Sequence, residues 1–211
     1  AMLGAERFST GESARNLHLH DISPHQGVLP AGIAWPGSTE AVSRILAYAY
    51  KENIPITPWG AGTSTEGNPV PVQGGLVVDL TRMDRIIEIR PQDLQADVQP
   101  GVFRKTLNHQ CGRHGLFFPP DPGADATIGG MIANNASGAQ TVKYGGTKDY
   151  VMRLTLVLPQ GKIITTGCKA HKSSSGYDLS RLFVGSEGTL GVVTEATLRL
   201  AGIPTHHLAI T

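Results

Sequence analysis

Glycine marks the ends of apolar runs in this chain, at four places far apart in sequence. Pro58-Trp59-Gly60-Ala61-Gly62-Thr63-Ser64 follows the run Ile54-Pro55-Ile56-Thr57. Gln99-Pro100-Gly101-Val102 closes a second run. The stretch from Thr127 to Gly138 packs Gly129, Gly130 and Gly138 around two asparagines and a serine. The stretch from Gly185 to Leu198 sets Gly185, Gly188 and Gly191 just ahead of a last apolar run. In all there are 26 glycines and 14 prolines among 211 residues, without a triplet period, which excludes collagen. They separate strong apolar runs, which argues against disorder. A chain punctuated in this way folds as many short elements joined by tight turns, with places where backbone approaches a ligand closely.

The apolar periods indicate the elements between those turns. From Ser38, STEAVSRILAYAYKEN reads as a helix, with Ser38 as N-cap, Glu40 in the first turn, and Val42, Ile45, Leu46 and Ala49 on one face. Residues 54–57 and 75–80 read as short buried strands. Residues 86–89 and 94–98 read as two more, around a Pro-Gln-Asp turn. Residues 102–113 are expected to form a second helix, 129–135 a short one, and 178–183 a helical turn. Then the pattern changes. Residues 151–158 and 162–166 flank Pro159-Gln160-Gly161, a good hairpin turn, and 192–200 alternate as a last strand. A chain that begins in strand–helix units and ends in antiparallel hairpins is expected to be α+β, with two small lobes. The lobes are expected over about residues 31–90 and 91–211, after an irregular segment over 1–30.

The loop after Thr57 fails both standard nucleotide-binding patterns. A dinucleotide fingerprint needs G-x-G-x-x-G opening a helix, but Thr65 stands where the third glycine belongs and the following GNPVPVQGG holds two prolines. A Walker A loop needs a terminal G-K-[ST], which is missing. What remains is the chemistry of consecutive small residues. Their free N–H groups can form a concave anion nest without a helix, and Thr63 and Ser64 add hydroxyls. A diphosphate is the natural guest, and a plain strand-exit turn is the alternative. Four such loops from distant parts of the chain suggest one long ligand lying across backbone.

Composition narrows the partners. The net charge is +1 and aromatic residues are 6% of the chain, which argues against a nucleic-acid platform. Two cysteines, Cys111 and Cys168, are too few for a disulfide framework and are expected to be reduced, buried thiols. His18 with His20, and His206 with His207, lack a clear third ligand, so no metal is expected. No run of 18 apolar residues is present for a transmembrane helix, and the first residues lack a secretory pattern. Ala1 ahead of Met2 reads as a cloning remnant, and the abrupt end suggests a cut from a longer protein.

The ordered motifs PWGAGTS, GGLVVDLTRMDRI, VQPGV, FFPPDPGADATIGGMIANNASG and KSSSGYDLSRLFVGSEGTLGVVTEATL carry a resemblance. Over about residues 36–200 the chain resembles the FAD-binding domain of the vanillyl-alcohol oxidase or PCMH-type flavoproteins. Within them it is similar to the FAD-linked D-lactate dehydrogenase (cytochrome) and glycolate oxidase D-subunit group. The resemblance implies a small βα-type lobe and a larger antiparallel-sheet lobe with flanking helices, and FAD between them. Pro58, Trp59, Gly60, Ala61, Gly62, Thr63 and Ser64 would form the loop around the pyrophosphate. Thr127, Gly129, Gly130, Asn134, Ser137 and Gly138 would run along the pyrophosphate, ribityl chain and flavin edge. Glu187, Gly188, Gly191 and Val192 would lie nearest ribose and adenine, and Pro120 and Ala126 would line the cleft.

Thr63 stands where covalent relatives often carry a histidine, so the resemblance implies noncovalent FAD. Trp59 replaces an arginine common elsewhere in the superfamily. The implied reaction is hydride removal from C2 of a 2-hydroxy acid to flavin N5. Electrons would leave to a cytochrome, quinone or electron-transfer protein. Substrate-binding groups and the base would lie in a C-terminal cap domain missing from this chain, leaving no catalytic residue to name. The implied location is the cytoplasm or the periphery of a membrane. The alternatives are an electron-relay subunit of a multi-subunit oxidase and a non-enzymatic nucleotide-binding module.

Overall fold

The computed structural model describes residues 4–206. His207 of the second histidine pair lies outside them, as do Ala1 and Met2. The chain begins with β1 (Phe8–Ser9), α1 (Glu12–Leu17), β2 (Gly32–Ala34), α2 (Thr39–Lys51), β3 (Ile56–Trp59) and β4 (Leu76–Asp79). These strands form one sheet in the order β1-β2-β4-β3, with β1 antiparallel and the other three parallel. A parallel sheet is covered on both faces, so its strands read as unbroken apolar runs. Ile33, Val77 and Val78 are accordingly fully buried.

The second sheet takes β5 (Ile86–Arg90) and β6 (Gln95–Val98), then α3 (Arg104–Gly112), β7 (Leu116–Phe117), α4 (Ile128–Asn134) and α5 (Thr141–Tyr144) intervene. It is completed by β8 (Val151–Val157) and β9 (Ile163–Gly167), followed by α6 (Leu179–Phe183), β10 (Val192–Arg199) and β11 (Ala201–Gly202). The order is β5-β6-β10-β8-β9, antiparallel throughout, while β7 and β11 pair separately. The α+β class with a small βα-type lobe and a larger antiparallel lobe is borne out.

Three expectations shift. β5 was assigned to the first lobe by a division at about residue 90, yet it hydrogen-bonds to β6 and opens the second sheet. Residues 1–30 are expected to be irregular with at most a short helix; α1 is that helix, packing Ala14 against the sheet, but β1 also adds an edge to β2. Cys111 is fully buried, its thiol pushed up to about 11 by burial, whereas Cys168 is only partly buried.

Helix α2 joins the lobes. The Ser38 hydroxyl caps it by accepting from the Ala41 N–H at 3.2 Å. Its apolar face buries Val42, Ile45 and Leu46 in one cluster with Ala34 and Val78 of the parallel sheet and Val157 and Val192 of the antiparallel one. Each such side chain stabilises by about 1.5–3 kcal/mol. On the same helix the Ser43 hydroxyl donates to the Gly161 carbonyl at 2.6 Å, and that of Thr39 donates to Thr194 Oγ1 at 3.0 Å. The larger core lies under the antiparallel sheet, where α3 supplies Leu107 and Cys111 and α4 supplies Ile128, Met131 and Ile132.

Candidate functional site

A cleft of about 520 Å³ opens where the ends of the two sheets meet. Its first wall leaves the carboxyl end of β3, the end at which open parallel sheets receive ligands. Trp59 closes the strand and residues 60–64 run along the cleft, with Gly62 at φ +65°. None of the backbone N–H groups of residues 60–64 has a hydrogen-bond acceptor among the described residues. A run of unsatisfied donors in a concave wall is an anion site in waiting.

The second wall is α4. Thr127 caps it, its hydroxyl accepting from the Gly130 N–H at 3.3 Å. Ile128, Met131 and Ile132 turn into the core, so Gly130, Ala133 and Asn134 line the cleft at helical spacing. The glycines of these two walls do different jobs. A Cβ on Gly60 would stand 2.5 Å from Thr127 Oγ1, and one on Gly129 would stand 2.6 Å from Pro100 Cβ. The first absence lets the glycine loop pack on α4, and the second lets α4 pack on the Gln99–Val102 stretch. A Cβ on Gly130 would meet only Thr127 Oγ1, at 3.2 Å, and its other side is open to the cleft.

The third wall is the turn from Gly185 to Gly188. It is set by the C-terminus of α4: the Gly185 N–H donates to the Ile132 carbonyl at 2.9 Å and that of Glu187 to the Ala133 carbonyl at 3.0 Å. The first is a second bond to a carbonyl that already accepts from the Asn135 N–H at 3.2 Å, and the second engages a carbonyl at the helix end, where intrahelical donors run out. Glu187 takes φ +53° and Gly188 φ +78°, and Gly188 packs so close to Pro58 that a Cβ would lie 3.0 Å from its Cγ. Burial and the neighbouring Glu66 carboxyl raise the pKa of Glu187 above the usual carboxylate value.

Asn134 ties the first two walls together. Its Nδ2 donates toward Ser64 Oγ at 3.2 Å, Glu66 Oε2 at 3.1 Å and Asn68 Oδ1 at 3.1 Å, and its Oδ1 accepts from Asn68 Nδ2 at 3.1 Å. The amide is thus engaged with the glycine-loop segment.

Of the residues selected by sequence, Pro58, Trp59, Gly60, Ala61, Gly62, Thr63, Ser64, Ala126, Thr127, Gly129, Gly130, Asn134, Ser137, Glu187, Gly188, Gly191 and Val192 line this cleft. Pro120 and Gly138 do not. Pro120 is buried, and Gly138 is pressed on Asp121, where a Cβ would lie 1.8 Å from the carbonyl oxygen. Pro122 and Ala124 take that wall instead. Gly191 lines the cleft but owes its identity to packing, since its Cβ would stand 2.8 Å from the Val157 carbonyl oxygen.

Ile22, Glu66, Asn68 and Pro100 also line the cleft and were not selected. Glu66 and Asn68 were legible as polar residues inside the same proline- and glycine-rich loop, and Pro100 belongs to the noted Gln99–Val102 stretch. Ile22 carried no local signal. His18, considered with His20 for metal, is instead buried beside Asp79, with Nε2 at 2.9 Å from Oδ2 and Nδ1 at 2.7 Å from the Ala14 carbonyl. Among the described residues no three His, Cys, Asp or Glu side chains gather where a metal could sit.

Residues 30–167 match the model of the FAD binding domain family. The chain belongs to that family. FAD is therefore the cofactor of this domain. The domain is 42% identical over 207 residues to the probable mitochondrial D-lactate dehydrogenase of Danio rerio, covering 97% of this chain and 42% of that protein. It is 43% identical over 203 residues to the glycolate oxidase subunit GlcD of Bacillus subtilis, covering 95% and 43%. It is 45% identical over 183 residues to the mitochondrial D-lactate dehydrogenase [cytochrome] of Arabidopsis thaliana, covering 86% and 32%. The FAD-binding domain thus spans well under half the length of these relatives. Among solved structures it resembles an alkyldihydroxyacetonephosphate synthase, with a TM-score of 0.85 and 27% identity over 97% of this chain and 39% of that one. No helix among the described residues is long and apolar enough to cross a membrane.

Proposed function

We propose that the cleft between the two sheets holds FAD noncovalently and that the domain serves a flavin-dependent dehydrogenase or oxidase of 2-hydroxy acids. The observation that carries the assignment of the cleft is the run of unpartnered N–H groups at residues 60–64 in a chain of the FAD-binding family. Five amide donors along one wall suit the negative charge of a diphosphate. The open faces of Gly130, Ala133 and Ala126 suit the flat parts of the cofactor, since close approach of a ring system to backbone requires side chains to be absent. In this reading Gly60, Ala61, Gly62, Thr63 and Ser64 hold the pyrophosphate, and Gly130, Asn134 and Ser137 follow the ribityl chain. Glu187, Gly188 and Val192 stand at the ribose and adenine end. Thr63 has no ring nitrogen to bond to the flavin, which supports reversible binding.

When bound, the flavin supplies two-electron redox chemistry, and this chain's residues bind it, orient it and exclude water from its phosphate end. A 2-hydroxy acid of the D-lactate or glycolate kind is the substrate favoured by the names of the relatives above. A cytochrome, quinone or electron-transfer protein is the acceptor, and the location follows the acceptor: cytoplasm, or the face of a membrane. A second reading, an FAD-binding electron-relay subunit, is favoured by one observation, that the Bacillus subtilis relative is named as a subunit.

Titration of the chain with FAD tests the cleft. Quenching of flavin fluorescence should saturate, ADP should compete, and acid precipitation should leave the yellow colour in the supernatant. No saturable binding, or binding indifferent to ADP, would remove the assignment of the phosphate wall, and flavin retained in the pellet would refute reversible binding.

A further inference from the structure

The glycine loop is gripped at both ends by one stretch of chain that precedes it. At its start, the ring of Trp59 packs on His18, the ring centroids 4.8 Å apart and the planes at 60°. Trp59 in turn underlies Gly62, where a Cβ would lie 2.6 Å from its Cζ2. His18 is itself fixed by Asp79 and the Ala14 carbonyl. At the far end of the loop, the Ile22 N–H donates to the Ser64 carbonyl at 3.0 Å. Asp21 Oδ2 accepts from the Gly67 N–H at 3.0 Å, and Oδ1 of the same carboxylate is held by the Ser23 N–H at 2.9 Å and by its hydroxyl. Gly67 sits at φ +86° against His25, where a Cβ would come within 2.4 Å of the imidazole. The Val28 N–H donates to the Pro71 carbonyl at 2.9 Å, and the Ile22 side chain lines the cleft itself.

These contacts divide the work. Among the described residues, none of the N–H groups of residues 60–64 is spent on a protein acceptor. Their shape is therefore fixed from outside, by bonds to the Ser64 carbonyl and to Gly67 and by the Trp59 ring. A loop held open in this way binds an anion without first losing conformational freedom, which is the gain from pre-organisation. We propose that Asp21, Ile22 and His18 are positioning residues for the anion-binding loop, so that affinity for a diphosphate-bearing cofactor is set by a segment outside the loop and upstream of it.

The inference rests on the cleft assignment above, and two measurements separate the two. In the cofactor-free chain, amide hydrogen exchange should show the donors Ile22 and Gly67 protected and opening together. Exchange of either at the rate of an unstructured amide would overturn the clamp, whatever the cleft binds. In Asp21→Ala the Gly67 amide loses its acceptor. FAD affinity should fall about tenfold, the factor that accompanies loss of about 1.4 kcal/mol, and exchange should quicken at residues 64–67 while the amides of the β8–β10 ladder keep their protection. Asp21→Asn keeps an oxygen for Gly67 while its NH2 falls on the Ser23 side, where the Ser23 N–H loses its acceptor, and should recover part of the affinity lost in Asp21→Ala. An Asp21→Ala chain that binds FAD as the parent does, or an Asp21→Asn chain as weak as Asp21→Ala, overturns the proposal. Failure of the parent to bind FAD would refute the cleft assignment instead and leave the exchange result to decide the clamp.

Discussion

At the scale of single residues, the glycines of the cleft divide by what they avoid. Gly60, Gly129 and Gly191 avoid the protein's own atoms, whereas Gly130 faces space. Side chains added at these places should therefore act on different properties. Gly130→Leu replaces a poor helix former in α4 by a good one, a gain of about 0.8 kcal/mol from propensity, with Thr127 Oγ1 needing only a small adjustment. The melting temperature should hold or rise while FAD affinity falls at least tenfold, as about 1.4 kcal/mol of lost contact implies. Gly129→Ala must displace the ring of Pro100 and should lower the melting temperature. Thermal melts and FAD titrations of both variants check the distinction. Undiminished affinity in Gly130→Leu would mean that this face of α4 does not meet the cofactor.

At the scale of elements, α1 and the C-terminal end of β4 are joined by the His18–Asp79 pair. Burial opposes both charges, pushing the imidazole down and the carboxyl up, but hydrogen bonding outweighs it. The bond from His18, with those from the Thr81 hydroxyl and N–H, brings Asp79 below the usual carboxylate range. Bonds to Asp79 and to the Ala14 carbonyl raise His18 above an ordinary histidine. The Trp35 indole Nε1–H adds a further donor to Asp79 Oδ2 at 2.7 Å. A raised histidine stabilises fully below its unfolded value of about 6.5 and loses that contribution as pH climbs through the folded value. A lowered aspartate stabilises above about 3.9 and loses its contribution as pH falls through the folded value. His18→Gln should therefore cost most stability at about pH 5 to 6 and less towards alkaline and strongly acid pH. Urea unfolding across the pH range checks this, and a cost independent of pH would count against the charged pair.

At the scale of the molecule, α2 makes the two lobes one folding unit. Leu46 lies in a cluster that takes residues from both sheets. Leu46→Ala should cost about 2–5 kcal/mol and lower the stability of both lobes together. Trp35 and Trp59 are the only two tryptophans and both belong to the first lobe, whereas far-UV circular dichroism reports on both lobes. The two signals should give coincident unfolding curves in the parent and in Leu46→Ala. Fluorescence that changes ahead of dichroism would show that the lobes melt separately. Saturating FAD should raise both midpoints together, because a ligand bound only by the folded state stabilises whatever unfolds with its site.

The sequence by itself determined the features that depend on near neighbours. The Ser38 cap and the apolar face of α2, the continuous apolar run of β4, the hairpin at Pro159–Gly161 and the position of the glycine loop were all readable, because caps, periods and turns are local properties. The strand expected to be buried over 54–57 instead runs over Ile56–Trp59 with only Trp59 buried, because β3 is an edge of its sheet. Tertiary structure decided which distant pieces meet. β10 enters between β6 and β8, although its own alternating pattern would suit several neighbours. β5 joins the second sheet rather than the first for the same reason: backbone ladders carry no label of their partner, and only packing of the whole core selects it. The jobs of the glycines stayed hidden until the space around each was known, since a missing side chain looks the same in sequence whether it makes room for a carbonyl or for a ligand. His18 against Asp79, Asn134 across to Ser64 and Asn68, and Ile22 beside Ser64 are pairings of the same kind, made by the closing of the fold and by nothing in the residues on either side of them.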